Sequence, residues 1–334
     1  MTTGATGSGT RYVVGVDVGG TKISAGALPE DGSREIAVRS GPTLAKEGAE
    51  AVVDRIVAMI EGVIADAMRA EGVERAAFSG VGVGAPGPLD RDRRTVVIAP
   101  NLGWRDVPLR DLVADRVGLP AALDNDANCA TLGECWTGAA RGAEHVVGIT
   151  LGTGIGGGLV IGGRLYHGAS NVAGEIGHTT IETQGRRCAC GNYGCLEAYA
   201  SGPNIAMRAR EAIEAGERSV LTDMVDGDLT AITAQTVYDA NDRGDLLARE
   251  VVRETARFLG AGVANLLNVY NPEVVVLAGG VARAGEALFE PLRAEVRRRA
   301  FKPAVDAARI VPGTLPGTAG VVGAVRMFLQ ARGS

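Results

Sequence analysis

The chain has 334 residues, of which 46% are hydrophobic, and its formal net charge is −5. This length and apolar content predict a soluble globular protein of two domains, and the mild acidity argues against a nucleic-acid partner. No apolar run approaches the roughly 18 residues of a membrane span. Residues 1–10 are small and polar, without the features of a signal peptide. We expect them to form a disordered tail on a cytoplasmic protein with no membrane partner.

The first predicted strand ends in an unusual turn, within VVGVDVGGTK at Val13 to Lys22. The turn offers one carboxylate, two glycines, one hydroxyl and one amine, at Asp17, Gly19, Gly20, Thr21 and Lys22. Such a turn lets backbone N–H groups approach a phosphate, and its carboxylate could hold Mg²⁺ through water. A Gly-Gly hairpin fits the same residues, because Ile23 to Leu28 also reads as a strand. Both interpretations stay open at this point.

The next segment predicts the rest of an α/β domain. Apolar residues at helical spacing from Glu50 to Ala70 predict an amphipathic helix. This helix leads into an apolar strand from Ala76 to Gly84, and that order indicates a right-handed crossover. A hairpin arm at Thr95 to Ala99, a short helix and a strand at Ala121 to Leu123 follow. We expect residues 11–123 to form the smaller, N-terminal lobe.

Three polar residues follow that last strand and begin a helix, and they are Asp124, Asn125 and Asp126. In open α/β sheets ligands bind beyond the carboxyl ends of strands, so these side chains are candidates for substrate contact or proton transfer. The alternative is helix capping, since Asn and Asp are preferred N-caps. Capping needs only one of the three residues, which leaves the others available for function.

A second glycine turn repeats the theme of the first, in HVVGITLGTGIGGG at His145 to Gly158. Two related halves are therefore expected to bring one phosphate loop each to a shared cleft. Gly152, Gly154 and Gly157 also match the Gly-x-Gly-x-x-Gly pattern of dinucleotide-binding proteins. We reject that interpretation because a strand and turn, rather than a helix, follow the glycines.

The most specific local pattern is EIGHTTIETQGRRCACGNYGCLE, from Glu175 to Glu197. It supplies one imidazole and three thiolates, at His178, Cys188, Cys190 and Cys195. This is the ligand set of a closed, structural zinc site, in which four protein ligands leave no position for catalysis. Redox or buried thiols beside an unrelated histidine are the alternative. Zinc would fix Glu175 and Glu197 where a polyol could meet them.

The other cysteines and histidines receive plainer interpretations. Cys129 and Cys135 lie on the helix after Asp126 and are predicted to be core thiols. His145 and His167 have no evident partner in the sequence and are predicted to be ordinary surface or loop residues.

The C-terminal half predicts mainly scaffold. Helical patterns cover Asn204 to Ala215, Thr233 to Asp239, Leu246 to Asn268 and Gly285 to Arg299, and a buried strand covers Val274 to Ala278. The strand ends at Gly279-Gly280, where the flat face of a ligand could lie, although a plain tight turn also fits. We expect residues 124–316 to form the larger lobe, with a zinc knuckle at 178–195. A final helix at 317–334 is expected to join the smaller lobe.

From about Tyr12 to Ala331, the chain resembles the ROK family of sugar kinases and repressors, and within it the bacterial glucokinases. The resemblance rests on five motifs, which are DVGGTK at Asp17 to Lys22, NDAN at Asn125 to Asn128, LGTGIGGG at Leu151 to Gly158, GEIGH at Gly174 to His178 and CACGNYGCLE at Cys188 to Glu197. The resemblance implies an α/β, actin-like and hexokinase-like (ribonuclease H-like) ATPase fold, with two lobes closing over ATP and sugar. The implied activity is phosphorylation of glucose at its 6-hydroxyl, a step of carbohydrate metabolism and glycolysis.

The resemblance also implies roles for individual residues. Asp126 is the implied catalytic base, and the implied hexose contacts are Asn101, Asn125, Asp126, Glu175, His178 and Glu197. The implied contacts to phosphates and Mg²⁺ are Asp17, Gly19, Gly20, Thr21, Lys22, Thr153 and Gly154, and those to the adenosine are Gly279 and Gly280. His178 would then both ligate zinc and touch the sugar. A homodimer or homotetramer is expected on the same ground.

Two alternatives remain beside the glucokinase interpretation. The nearer one is a kinase for N-acetylglucosamine, N-acetylmannosamine, mannose or fructose, because spacing in the sequence does not define the shape of a pocket. The other is a non-enzymatic, sugar-sensing regulator, since ROK repressors keep much of this site. The first predicted strand begins near Tyr12, so we expect no helix-turn-helix domain of the kind that a repressor would carry, and Asp126 is present.

Overall fold

The computed structural model describes residues 9–333, and within that range the chain divides into two compact units. The first unit contains the described residues up to Thr137, the segment His167–Val172 and the residues from Thr318 onwards. The second contains Gly138–Tyr166 and Ala173–Gly317. Residues 1–8 of the tail predicted at 1–10 lie outside the described residues. Residues 9 and 10 are described and have no regular secondary structure.

The first unit begins with three consecutive antiparallel strands, and helices and strands are interspersed after them. Up to Thr137 the elements are β1 (Tyr12–Val18), β2 (Lys22–Pro29), β3 (Ala37–Pro42), α1 (Ala49–Glu71), β4 (Phe78–Ala85), β5 (Val96–Ala99), β6 (Trp104–Val107), α2 (Leu109–Val117), β7 (Ala121–Asn125) and α3 (Asp126–Trp136).

The second unit contains β8 (Val146–Leu151), β9 (Ile155–Ile161), β10 (Arg164–Leu165), α4 (Glu197–Ala200), α5 (Gly202–Glu214), α6 (Leu221–Met224), α7 (Ala234–Asp242), α8 (Leu246–Tyr270), β11 (Val274–Ala278), α9 (Glu286–Arg299), α10 (Lys302–Ala307) and β12 (Arg309–Pro312). The last helix, α11 (Ala319–Arg332), belongs to the first unit. The strand predicted at Val274 to Ala278 is confirmed with its bounds.

The main sheets of the two units have the same internal order. In the first unit the order is β3-β2-β1-β4-β7, and in the second it is β10-β9-β8-β11-β12. In each sheet the first two pairings from the left are antiparallel, and the next two are parallel. The repeat that was predicted from the two glycine turns is therefore a repeat of whole sheets. A separate antiparallel pair, β5-β6, completes the strands of the described residues.

Helix α1 illustrates how the sequence pattern becomes a packed layer. Its buried residues are Val52, Val53, Ile56, Ile60, Val63, Ile64 and Ala67, which follow the predicted helical spacing. The helix ends at Gly72, whose φ of 65° is the left-handed conformation that glycine adopts without strain. Its buried face joins the strands β1, β2 and β4 in the apolar core of the first unit.

Helices α3 and α11 approach each other closely through glycines. A Cβ atom at Gly323 would lie 1.6 Å from the carbonyl oxygen of Cys129, and one at Gly133 would lie 2.2 Å from that of Ala319. Only glycine lets two helix backbones come this close. The contact keeps α3 in the first unit, so the division differs from the predicted boundary between residues 123 and 124.

The second unit has its own core, in which α8 is the central helix. One face of α8 is buried beside α5, α7 and α9, and residues of β8, β9 and β11 belong to the same cluster. A Cβ at Gly260 would lie 2.6 Å from the Cβ of Glu295, so glycine again permits close packing of two helices. In the described part of the chain, no helix is long and apolar enough to cross a membrane.

Candidate functional site

The carboxyl ends of three parallel strands in the first unit bring its candidate residues to one edge of the sheet. In the register of these strands, Asp17 of β1 pairs with Gly84 of β4, and Gly84 pairs with Asp124 of β7. The glycine turn after β1 and the polar residues at the end of β7 therefore lie at the same edge of the sheet. This is the edge at which α/β proteins bind ligands.

The turn after β1, residues 18–22, connects β1 to the antiparallel strand β2, so the predicted hairpin is confirmed. The N–H of Gly19 donates to the carbonyl of Lys22 at 2.9 Å. Thr43 closes the turn from outside: its N–H donates to the carbonyl of Thr21 at 2.9 Å, and its hydroxyl donates to that of Gly19 at 2.7 Å. A hairpin held in this way still presents N–H groups and the exposed Lys22 to an anion.

Two predicted ligand-binding residues flank this turn. A Cβ at Gly20 would lie 3.0 Å from the side-chain nitrogen of Asn101, which places that predicted hexose contact next to the predicted phosphate turn. Asp17 packs against the start of α11, where a Cβ at Gly320 would lie 2.5 Å from its carboxyl carbon. Burial raises the pKa of Asp17 to about 6, and the positive charge of Lys22 acts in the opposite direction.

The three polar residues at the end of β7 and the start of α3 have different roles. Asn125 is the N-cap of α3, and its side-chain oxygen accepts hydrogen bonds from the N–H groups of Ala127, at 2.9 Å, and Asn128, at 3.2 Å. Asp126 is the first residue of the helix and is half-buried. Asp124 is only 1% exposed. Capping therefore accounts for Asn125, and a functional role is open to the half-buried Asp126.

The prediction that His167 is an ordinary loop residue is wrong. Its Nε2 lies 2.7 Å from the Oδ2 atom of Asp124, which also lies 3.1 Å from Nη1 of Arg93. No sequence signal could have indicated this cluster, because 31 and 43 residues separate Asp124 from its two partners. The core position predicted for Cys129 is confirmed, and Cys135 is half-buried.

In the second unit, the turn after β8 is held by residues that come later in the chain. The N–H of Gly152 donates to the carbonyl of Gly154 within the turn, and the N–H of Gly202 donates to the carbonyl of Gly152, both at 2.9 Å. The N–H of Ile155 donates to the Oε2 atom of Glu197, also at 2.9 Å. Glu197, predicted to contact a hexose, thus has a direct contact with the predicted phosphate turn.

The four predicted metal ligands are brought together. The ligand atoms of His178, Cys188, Cys190 and Cys195 all lie within 4.8 Å of one another. The sulfurs of Cys190 and Cys195 are 3.7 Å apart, too far for a disulfide. Two sulfurs at 2.3 Å from one tetrahedral zinc ion would be about 3.8 Å apart, so the cluster fits this metal.

The rest of the zinc pattern packs beside the second glycine turn. Residues Ile176–His178 form a single helical turn against β9, where a Cβ at Gly177 would lie 2.2 Å from the carbonyl oxygen of Ile155. His178 faces the cluster with Nδ1, which lies 3.8 Å from the sulfur of Cys188. Glu175, just before this turn, is exposed. The predicted hexose contacts of the second unit therefore surround the start of β9.

A cavity of about 530 Å³ lies next to the glycine turn after β8, within the second unit. Thr153 and Gly280 border it, together with Tyr238 and two cationic side chains, Arg210 and Arg283. This volume is in the range of small-molecule sites. Gly279 has a supporting role beside the cavity. Its φ is 98°, and a Cβ there would lie 2.4 Å from the carbonyl oxygen of Leu151, so the position requires glycine.

The sequence profile of the ROK family matches residues 13–331, and the chain belongs to this family. The chain is 40% identical over 331 residues to a glucokinase of Halalkalibacterium halodurans, with 97% of each chain covered. It is 33% identical over 299 residues to a putative xylose repressor of a Caldicellulosiruptor species, covering 89% of this chain and 72% of the repressor. The family thus includes both a kinase and a repressor among these relatives.

Solved structures give the same assignment. A crystal structure of a ROK family glucokinase from Streptomyces griseus, in complex with glucose and AMPPNP, superposes with a TM-score of 0.81 at 38% identity. The match covers 95% of this chain and 98% of that one. The predicted fold class, an α/β protein with two lobes and the ROK kinase fold, is confirmed.

Proposed function

We propose that this protein transfers the γ-phosphate of ATP to the 6-hydroxyl of glucose. The observation that carries the proposal is near-full-length similarity, at 40% identity, to a protein named as a glucokinase. The S. griseus relative that binds glucose and AMPPNP gives further support. Both glycine turns, the half-buried Asp126 and the cavity beside Thr153 are compatible with such a reaction.

In this proposal, Asp126 is the general base. A carboxylate on the first turn of a helix, at the carboxyl edge of a parallel sheet, is fixed by the backbone and partly open to a substrate. It would orient the 6-hydroxyl and accept its proton as the phosphorus–oxygen bond forms. Phosphoryl transfer needs little covalent chemistry from the protein, so positioning of the two reactants would account for most of the catalysis.

The first glycine turn is proposed to bind phosphate. The N–H groups of Gly20 and Thr21 and the Lys22 ammonium suit phosphate oxygens, while the N–H of Gly19 holds the turn together. The Asp17 carboxylate is the group of this turn that could hold Mg²⁺ through water. Bound Mg²⁺ would neutralise charge on the phosphates. Asn101, beside Gly20, is proposed as a hexose contact.

The second unit is proposed to bind the nucleotide and part of the hexose. Thr153 and Gly154 would contact phosphate, and the cavity that begins there and reaches Gly280 would take the adenosine. Two arginines at the border of this cavity suit the charge of a nucleotide. Glu175, His178 and Glu197 are proposed to contact hexose hydroxyls, and so is Asn125.

Zinc is proposed as the metal of the Cys/His cluster. Three thiolates and one imidazole fill a tetrahedral coordination shell, so the ion would order the knuckle and take no part in the chemistry. A cytoplasmic location and a homodimer or homotetramer stay predictions, and the oligomeric state is open to measurement by analytical ultracentrifugation.

The alternatives differ from this proposal in substrate or in turnover. Another hexose, such as mannose, fructose, N-acetylglucosamine or N-acetylmannosamine, would use the same base and turns with a differently shaped pocket. Similarity to the xylose repressor keeps the sugar-sensing regulator as a second candidate. The position of Asp126, where a kinase needs its base, favours the enzyme.

The test is ADP release from Mg-ATP with each of these five sugars, measured for the wild-type chain and for Asp126→Ala. We expect glucose to give the highest rate, and the variant to lose about 10²- to 10⁴-fold in kcat, the usual contribution of a general base. Near-normal turnover of the folded variant would refute the role of Asp126. Sugar binding without turnover of any sugar by the wild type would favour the regulator.

A further inference from the structure

The buried carboxylate of Asp124, which has no role in the proposed reaction, lies at the centre of a cluster of polar groups. Its Oδ1 atom accepts hydrogen bonds from the N–H of Asn125 at 2.8 Å and from the side-chain amide of Asn128 at 2.9 Å. Its Oδ2 atom is contacted by His167 at 2.7 Å and by Arg93 at 3.1 Å. Each oxygen of this carboxylate thus has two polar partners beside it.

These partners keep the buried group ionised. Burial by itself raises the pKa of Asp124, but the hydrogen bond and charge of His167, the hydrogen bond from Asn128 and the charge of Arg93 together hold it below its usual value. An ionised carboxylate is a pure acceptor, so Nε2 of His167 is the donor in the contact with Oδ2. The hydrogen bonds to Oδ1 are then charge-assisted, and therefore stronger than hydrogen bonds between two neutral groups.

The two donors to Oδ1 bracket Asp126 in the chain. Asn125 precedes Asp126 by one residue and Asn128 follows it by two, so a single oxygen atom ties down both sides of the turn that carries Asp126. Residue 84 of the neighbouring strand β4 is a glycine, and a Cβ there would lie 3.1 Å from the sulfur of Cys129 in α3. The first turn of α3 therefore packs directly on the sheet, and the Asp124 carboxylate holds it there through two hydrogen bonds.

The two donors to Oδ2 come from distant parts of the first unit. Arg93 belongs to the connection between β4 and β5 and has a φ of 50°, and His167 begins the segment His167–Val172. Asn171 links the segment His167–Val172 to the connection between β4 and β5, because its side-chain amide donates to the carbonyl of Asp90 at 2.7 Å. Two loops thus converge on the one carboxylate that holds the turn of Asp126.

We infer that Asp124, fixed by His167 and Arg93, is a positioning residue for Asp126. The cluster sets the direction of the α3 N-terminus, and through it the direction in which the Asp126 carboxylate meets the hydroxyl that is to be phosphorylated. The inference rests on the proposed function, in which Asp126 is the base. A base held about 1 Å away from its productive position loses much of its rate while substrate binding changes little.

The test compares Asp124→Asn, His167→Ala and His167→Gln in the same kinase assay, with His145→Ala as the matched histidine control. Asp124→Asn keeps the shape and an acceptor for Asn125 and Asn128, but it turns an amide towards His167 and Arg93. We expect this variant and His167→Ala each to lower kcat about tenfold or more, with KM for Mg-ATP changed less than twofold. His167→Gln can still donate to Oδ2 and is expected to recover most of the rate. His145→Ala, in an exposed position, should not change it.

The double variant Asp124→Asn/His167→Ala supplies a second criterion. If both residues act through one contact, it should lose no more than the worse single variant, whereas independent effects would multiply. Arg93→Gln, at a partly exposed position, gives a third member of the cluster that should fold and show a smaller loss in kcat.

Thermal unfolding separates positioning from stability. Variants that melt lower but keep wild-type kcat and KM in the folded protein would overturn the inference and leave the proposed function intact. Multiplicative losses in the double variant would also overturn it. Absence of turnover by the wild type with any hexose would refute the proposed function, and the inference with it.

Discussion

The two glycine turns follow equivalent strands of equivalent sheets, but they are stabilised differently. The turn after β1 is closed by Thr43, a buried residue that directly follows β3 of the same sheet. The turn after β8 is closed by Glu197, the first residue of the short helix α4, and by Gly202, the first residue of α5. Glu197 comes two residues after Cys195, a proposed zinc ligand. The repeated hairpin is thus stabilised by a residue next to its own sheet in one unit, and by a segment next to the proposed zinc site in the other.

The difference has chemical consequences as well. Residues 17–22 carry an ionisable carboxylate and an amine, and the pKa of Asp17 is raised to about 6. Residues 151–155 carry no ionisable side chain and take a carboxylate from Glu197 instead. The first turn should therefore respond to pH, and the second to the metal. Three variants would test this contrast.

The largest effect is expected from loss of the metal. Cys190 is the exposed member of the cluster, so Cys190→Ser removes a ligand without emptying a core position. We expect zinc to fall well below one per chain and the amide of Ile155 to exchange at least about tenfold faster, because the segment that holds Glu197 is no longer fixed. Exchange at Gly19 and Thr43 should stay as in the wild type. Metal content is measured by mass spectrometry, and exchange by hydrogen–deuterium exchange.

The matched control is Cys135→Ser, a thiol outside the cluster. It should keep its zinc and the protection of both turns. Equal acceleration at the two turns in Cys190→Ser, or protection of Ile155 in a chain without zinc, would show that the second turn does not depend on the metal.

A smaller effect is expected from a methyl group added inside the second turn. A Cβ at residue 154 would lie 2.6 Å from Oε2 of Glu197, whereas one at residue 152 meets no atom within 4 Å. Gly154→Ala should therefore displace the carboxylate from the N–H of Ile155 and destabilise the protein by roughly 0.5–1.5 kcal/mol, the net value of one hydrogen bond. Gly152→Ala should stay within about 0.5 kcal/mol of the wild type. Urea unfolding measures both, and similar values for the two variants would contradict the assigned support.

The smallest effect is expected from the pH dependence of the first turn. Because the native pKa of Asp17, about 6, exceeds the ordinary value, the folded protein keeps a proton that the unfolded chain has lost between about pH 4 and 6. Stability contributed by this residue is present below that window and is lost as the pH rises through it. Asp17→Asn removes the penalty, so the variant should match the wild type near pH 4. At pH 7 it should be more stable by on the order of 1 kcal/mol, since the side chain is partly exposed.

Urea unfolding at several pH values measures this difference, and Thr153→Val in the second turn is the control. A gain in Asp17→Asn that is the same at pH 4 and pH 7 would exclude titration of Asp17 as its cause. A similar pH dependence in Thr153→Val would remove the contrast between the two turns.

Much of the site was predictable because the functional residues of each motif lie close together in the sequence. The proposed zinc ligands fall within residues 178–195, and the glycines of each turn are consecutive or nearly so. Residue type and spacing alone are therefore enough to indicate them. The capping role of Asn125 was predictable in kind, since only a residue at the strand–helix junction can cap α3. Local hydrogen bonds of this sort need no knowledge of the fold.

The supports of the site were not predictable in this way. Thr43, Arg93 and His167 are ordinary residues in their own segments, and each acquires a partner only when strands and loops distant in sequence meet. The same holds for the boundary of the first unit, which glycines in α3 and α11 decide by allowing two backbones to touch.

By itself the sequence determined the period of each helix and strand, the repeated hairpins, the metal ligands and the family resemblance, because each of these depends on residues close together in the chain. The tertiary structure alone decided which carboxylates are held and by what. Asp124, Asp126 and Glu197 have the same functional group, but one is buried among four polar partners, one is half-buried on a helix turn and one supports a glycine turn. Burial and partners decide what a carboxylate does, and both are properties of the folded chain.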